Sequence, residues 1–158
     1  MKCLVTGGAG FIGSNLVDKL ISDGHEVTIV DNMSTGKKEN INPKAKLYVK
    51  DITQMRRNSD FHMFEGIDVV FHLAALARVQ PSIENPIEYH NANVNGTLNL
   101  LKASVDYGVK RFVFSSSSSV YGNVEQLPTP EEHELNPISP YALHKLIGEQ
   151  YCKLFSEL

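Results

Sequence analysis

Near its start the chain carries Gly7-Gly8-Ala9-Gly10-Phe11-Ile12-Gly13, with glycine at each third position from Gly7 to Gly13, and the flanking segments turn that spacing into a constraint on the fold. Lys2 to Thr6 is a short apolar strand leading in. Phe11, Ile12, Leu16, Val17, Leu20 and Ile21 follow helical spacing leading out, until Asp23-Gly24, where glycine is free to take the left-handed cap conformation. In a strand, glycine turn and helix of this kind, the glycines let the backbone turn tightly and approach a pyrophosphate. The helix N-terminus favours the charge of that pyrophosphate. A second strand, Glu26 to Val30, delivers Asp31, eighteen residues after Gly13. A carboxylate there can accept hydrogen bonds from an adenosine ribose and repels the extra phosphate of NADP, so the pattern favours NAD.

The strand and helix alternation continues. Lys46 to Val49 reads as a third strand, ending at Asp51-Ile52, where an acid and an apolar residue can flank an adenine. Thr53 to Glu65 is a less regular helix candidate. Asp68 to Leu73 is a continuous apolar strand of the kind buried in parallel sheets, opening into Ala74-Ala75, whose small side chains suit either close packing or approach of a cofactor. Asn85-Pro86 predicts the start of a long helix over 86–106, with Asn85 as N-cap and Glu88 three residues beyond. Val94, Leu98, Leu101 and Val105 form its apolar stripe, and Gly108 ends it. Asn91, Asn93 and Asn95 are poor helix formers in that interior, which leaves either solvent exposure or a retained polar contact to explain them.

Lys110 to Phe114 is a fifth strand feeding five serines, Ser115 to Ser119, and then Val120-Tyr121-Gly122. Such a run alone would read as a linker. Its place at the C-terminal end of a parallel strand argues for a ligand-facing loop instead. After a Pro- and Glu-rich loop over 123–138, Ser139 can cap a last helix that Pro140 opens. Tyr141 and Lys145, four apart, then project from one face of that helix near its start. An ammonium beside a phenol favours the ionised form. Bringing a tyrosine from ~10 to near neutrality needs about 3 units, roughly 4 kcal/mol, which a buried lysine together with an oxidised nicotinamide can supply.

Composition limits the alternatives. At 158 residues the chain suits one core, and burial of roughly 70% of the unfolded surface is expected at this size. A formal charge of −3 with interspersed acids and bases offers no stripe for nucleic acid. Cys3 and Cys152 lack partner spacing for a disulfide framework or a zinc site, so no metal is expected. No apolar run reaches the ~18 residues of a membrane span, and the N-terminus enters a strand directly, so the expected location is cytoplasmic.

Taken in order, Thr6 to Gly13, Asp31-Asn32, Asp51-Ile52, His72 to Ala75, Asn93 to Thr97, Ser115 to Gly122 and Tyr141-x-x-x-Lys145 resemble the extended short-chain dehydrogenase/reductases, specifically the NAD-dependent epimerase/dehydratase family. The resemblance runs along essentially the whole chain and is to the N-terminal half of such proteins. It implies a Rossmann-like, doubly wound parallel sheet with helices on both faces, cut off after the fifth strand and its helix. Residues 1–158 would then be an incomplete NAD-binding domain. The implied catalytic residues are Ser117, Tyr141 and Lys145. Those implied to contact NAD are Gly7, Gly10, Phe11, Ile12, Gly13, Asp31, Asn32, Ser34, Thr35, Gly36, Asp51, Ile52, Leu73, Ala74, Ala75, Asn93, Ser115, Tyr141 and Lys145.

Within that family, dehydratase and decarboxylase branches carry acids two before the tyrosine of Val-Tyr-Gly, where this chain has Ser118-Ser119. A hydroxyl substitutes poorly for a carboxyl in water elimination, so the resemblance favours a nucleotide-sugar 4-epimerase acting on a UDP-hexose, and a homodimer through helices 86–106 and 140–157. Two positions depart from the family pattern: His144 stands where serine is common, and Ala77, with Arg78 beside it, stands where some epimerases carry lysine. A chain of about half the family length leaves a second reading open, that of an NAD-binding module with no turnover. An uncovered edge at the fifth strand would then promote aggregation or pairing.

Overall fold

The computed structural model describes residues 1–57 and 59–157. Five strands form one parallel sheet: β1 (Lys2–Thr6), β2 (Glu26–Asp31), β3 (Lys46–Val49), β4 (Val69–His72) and β5 (Arg111–Phe114), in the order β3-β2-β1-β4-β5. The register pairs Thr6 with Val30 and with His72, and His72 with Phe114, so these strands finish level at one carboxyl edge. The order reverses between β1 and β4, and open α/β sheets bind ligands beyond the strand ends at such a point.

Alternation along each strand divides the core. Leu4, Val30 and Val70 face a cluster completed by Phe64, Leu100 and Ala103, while Cys3, Val5, Ile29 and Val69 face Val17 and Leu20 of α1 (Phe11–Ser22). Val5, Phe71 and Val113 are in register on the α1 face, and their burial declines outward from β1. Val5 is fully buried, Phe71 is half-buried, and Val113 is 40% exposed on the edge strand β5.

On the opposite face, α2 (Val79–Glu84), α3 (Pro86–His90), a π turn (Asn91–Asn95) and α4 (Gly96–Asp106) follow β4, and α5 (Pro140–Glu157) follows β5. The expected helix over 86–106 exists as α3, π turn and α4. Asn85 precedes it, but its side chain makes no cap bond, so the predicted capping box is absent. The helix expected over 53–65 is replaced by turns and a 3-10 turn at Phe61–Phe64, in a stretch where residue 58 lies outside the described residues. Asp51 Oδ1 accepts from the Thr53 N–H and Asp60 Oδ2 from the Arg56 N–H, and such local bonds compete with a helical ladder.

Two glycines fix how the helices lie. A Cβ on Gly148 would fall 2.3 Å from the Phe114 ring, so its absence lets α5 rest directly on β5. A Cβ on Gly96 would fall 2.7 Å from Ile52, which brings the start of α4 against the loop after β3. Among the described residues, no helix is long and apolar enough to cross a membrane.

Candidate functional site

A cleft of about 1010 Å³ opens along the carboxyl edge of the sheet. Its floor is the glycine turn. Gly7 sits at φ +72°, and a Cβ on it would fall 2.8 Å from the Ala74 nitrogen; a Cβ on Gly13 would fall 2.1 Å from the Gly7 carbonyl oxygen. The turn is thus pressed against both α1 and the segment after β4. A Cβ on Gly10 would come no nearer than 3.3 Å, to the Gly7 carbonyl. Gly10 caps α1 without a side-chain bond, and no acid occupies the first turn, so the helix presents its first N–H groups to the cleft uncapped.

Asp31 is buried, and each carboxylate oxygen accepts one backbone N–H: Oδ2 from Ala9 at 3.0 Å and Oδ1 from Met33 at 2.8 Å. The first ties the glycine turn to the end of β2. The second braces Met33 at φ +61°, an uncommon conformation outside glycine. A carboxylate offers about four acceptor positions, so two remain for a ligand's hydroxyls. Asn32 Oδ1 accepts from both the N–H and the hydroxyl of Ser34, forming a tight turn that carries Ser34 and Thr35 along the cleft.

Across the cleft, burial works against the charge of Asp51, but hydrogen bonds from the Thr53 backbone and side chain and from Asn32 outweigh it and hold the carboxyl below its ordinary range. Lys50 also lines the cleft, its ammonium 2.9 Å from Asp60 Oδ1. Leu73, Ala74, Ala75 and Leu76 form the third wall, and Ser115 closes one end.

The serine run divides its work residue by residue. The Ser115 N–H donates to the His72 carbonyl at 3.1 Å, continuing the β4 and β5 pairing beyond the sheet. Ser116 donates to Glu149 on α5. Ser117 Oγ accepts from the N–H and hydroxyl of Ser119, at 3.2 and 2.8 Å, starting a 3-10 turn at Ser118–Tyr121.

Two hydroxyls satisfy the first turn of α5: Ser139 accepts from Ala142 N–H and Ser82 accepts from Tyr141 N–H, each at 3.1 Å. Tyr141 is half-buried there. One helical turn on, Lys145 is buried, with Nζ donating to the Ser115 carbonyl at 2.7 Å and lying 4.9 Å from the Phe114 ring centroid. Burial pushes its ammonium down to about 8. The hydrogen bond of Lys145 runs to Ser115, and among the described residues none joins it to Tyr141.

Of the residues singled out from sequence, Gly7, Gly10, Phe11, Ile12, Gly13, Asp31, Asn32, Ser34, Thr35, Asp51, Ile52, Leu73, Ala74, Ala75 and Ser115 line the one cleft. Gly36 does not. It lies behind Asp31, where a Cβ would fall 2.9 Å from the carboxylate. Asn93 also lies outside the lining, buried in the π turn, where its amide brackets Leu76. Ser117, Tyr141 and Lys145 stand beyond Ser115, outside the cleft lining. The sequence reading missed Lys50, Leu76 and the α2 and α3 segment with Glu84, Ile87 and Glu88, while Asn91, one of the three asparagines it marked for a retained polar contact, lines the cleft from the π turn. Only their position after strand ends could have marked them.

A parallel sheet in 3-2-1-4-5 order, a glycine turn under an uncapped helix and an acid at the end of β2 define a Rossmann-like dinucleotide-binding fold. The model of the NAD dependent epimerase/dehydratase family matches residues 3–158, and the chain belongs to that family. Among similar proteins, a UDP-glucose 4-epimerase of Lactobacillus helveticus is 43% identical over 150 residues, which are 95% of this chain and 46% of that protein. A solved UDP-glucose 4-epimerase of Thermotoga maritima, with UDP-glucose, superposes with a TM-score of 0.89 at 46% identity, covering 99% of this chain and 52% of that one. The UDP-glucose 4-epimerase of Thermus thermophilus, in complex with NAD, gives a TM-score of 0.90 at 38% identity, covering 99% and 51%. The chain spans about half the length of the curated relatives it matches.

Proposed function

We propose that this chain is the cofactor-binding half of an NAD-dependent nucleotide-sugar 4-epimerase of the UDP-glucose/UDP-galactose type, residues 1–158 forming its dinucleotide domain. The observation that carries the reading is the convergence of the glycine turn, Asp31, Asp51 and Leu73 to Ala75 on one cleft that Ser115 closes, with Lys145 fastened behind Ser115. The cradle fits a dinucleotide. Uncapped N–H groups of α1 suit a pyrophosphate, and the free acceptor positions of Asp31 suit ribose hydroxyls while opposing a 2′-phosphate.

When bound, NAD supplies the hydride acceptor and donor of a reversible alcohol oxidation. The chain's own groups handle the proton. Tyr141, at the first turn of α5, takes it from a sugar hydroxyl, and Ser117 hydrogen-bonds the same oxygen. Lys145 supplies positive charge that favours the ionised phenol. Ser118 and Ser119, in place of acids, disfavour water elimination and support epimerisation over dehydration.

Val113, exposed on the edge strand β5, and an apolar groove on α5 formed by Leu143, Leu146, Ile147, Tyr151 and Leu154 support further coverage of both faces. On this reading the protein is cytoplasmic and homodimeric through helices 86–106 and 140–157. The test is conversion of UDP-galactose to UDP-glucose with added NAD, followed by a coupled assay on the wild-type chain and on Tyr141→Phe. Turnover lost in the variant with NAD binding retained supports the assignment. Equal turnover in both refutes the base. NAD binding without turnover in either identifies a cofactor-holding module.

A further inference from the structure

We propose that Thr6, His72 and Thr97 form a one-way hydrogen-bond relay that positions the segment Leu73 to Leu76, with His72 and Thr97 as positioning residues for the cofactor wall. The inference rests on the reading that this segment faces the dinucleotide.

The direction of every bond in the relay follows from chemistry. The Asn93 carbonyl can only accept, so the Thr97 hydroxyl donates to it, at 2.7 Å. With its single proton spent, Thr97 Oγ1 accepts from Nε2 of His72 at 2.8 Å. Nδ1 of His72 then accepts from the Thr6 hydroxyl at 2.7 Å, and Thr6 Oγ1 accepts from the Ala74 N–H at 3.1 Å. All three side chains are buried, and each ring nitrogen and hydroxyl is used. Burial, followed by the nearby Lys145 charge, pushes the His72 imidazole down to about 3, consistent with a neutral ring in this order.

The far end of the relay returns to the same segment. Asn93 accepts from the Leu76 N–H at 2.9 Å through Oδ1 and donates to the Leu76 carbonyl at 3.0 Å through Nδ2. Ala74 and Leu76 are therefore held from two sides by one circuit of bonds. The circuit runs through the π turn: the Gly96 N–H reaches back to the Asn91 carbonyl, widening the helix where Asn93 and Thr97 are both buried. An apolar replacement of similar shape would fill the space but break the circuit and orphan its neighbours.

The test uses Thr97→Val, which keeps the shape and deletes both hydroxyl bonds, and Thr97→Ser, which keeps the hydroxyl. In Thr97→Val, amide hydrogen exchange at Ala74 and Leu76 should quicken about tenfold while Leu4 in β1 stays protected, and NAD should bind about tenfold more weakly. Thr97→Ser should restore both. In the wild-type chain, nitrogen NMR of His72 should show the proton on Nε2, a readout independent of any variant's folding. A proton on Nδ1, or wild-type exchange at Ala74 and Leu76 in a folded Thr97→Val, overturns the relay. Failure of the wild-type chain to bind NAD contradicts the cofactor reading, while tautomer and exchange still decide the relay.

Discussion

Lys145 donates from Nζ to the carbonyl oxygen of Ser115 at 2.7 Å, so a buried ammonium on the last helix is fastened to the first residue beyond β5. This bond joins the cleft's end to the helix that carries Tyr141, and it keeps a cation where burial resists it.

That resistance predicts how stability responds to alkali. The folded-state value for Lys145, about 8, lies below its ordinary 10.5, so above pH 8 the unfolded chain binds more protons than the folded one. Stability contributed by this group therefore rises from about pH 8 to 10.5, by up to about 3 kcal/mol, and is flat below pH 8. Urea unfolding of wild type and Lys145→Met across that range checks it. The rise should appear in the difference between the two, and parallel curves would contradict the buried cation.

The contact of Gly148 with Phe114 makes a steric prediction. In Gly148→Ala the new methyl must displace the aromatic ring on β5, which should cost about 1–3 kcal/mol. The variant should also melt earlier and loosen the Lys145 to Ser115 bond. An unchanged melting temperature would show that α5 yields freely.

Asp31 is expected to set both loop geometry and cofactor choice. Asp31→Ala orphans the N–H groups of Ala9 and Met33, at about 1–3 kcal/mol each, whereas Asp31→Asn keeps an oxygen acceptor while removing the charge. Calorimetry should show Asp31→Asn relaxing the preference for NAD over NADP. An unaltered ratio of affinities would sink the ribose assignment.

The exposure of Val113 on the edge strand β5 predicts self-association. Light scattering on the isolated chain should report oligomers or aggregates, and Val113→Lys, which places a charge on the edge strand, should shift them toward monomer. A monodisperse wild-type monomer would contradict this.

The glycine turn, Asp31, the level strand ends and the start of α5 were legible in the sequence because each depends on neighbouring residues: a periodic apolar run, a turn glycine, a capping serine. The π turn was not, since apolar spacing over 86–106 reads alike for an α-helix and for one widened by a residue. Thr53 to Glu65 looked helical because its pattern omits the carboxylates that bind the backbone locally. The six-residue α2 opens at Val79 without a side-chain cap, and its use lies in Ser82, which meets Tyr141 across 59 positions of sequence. His72 is the clearest case. Read as one apolar-strand residue, it joins Thr6, 66 positions away, to Thr97, 25 positions away, which no local pattern reveals.

Calorimetric titration of the purified chain with NAD, and separately with NADP, decides whether the cleft is a dinucleotide site. Saturable one-to-one binding of NAD, markedly weaker binding of NADP, and loss of NAD affinity in Asp31→Ala are expected. Absence of NAD binding by a folded chain, or equal affinity for the two dinucleotides, would contradict that reading.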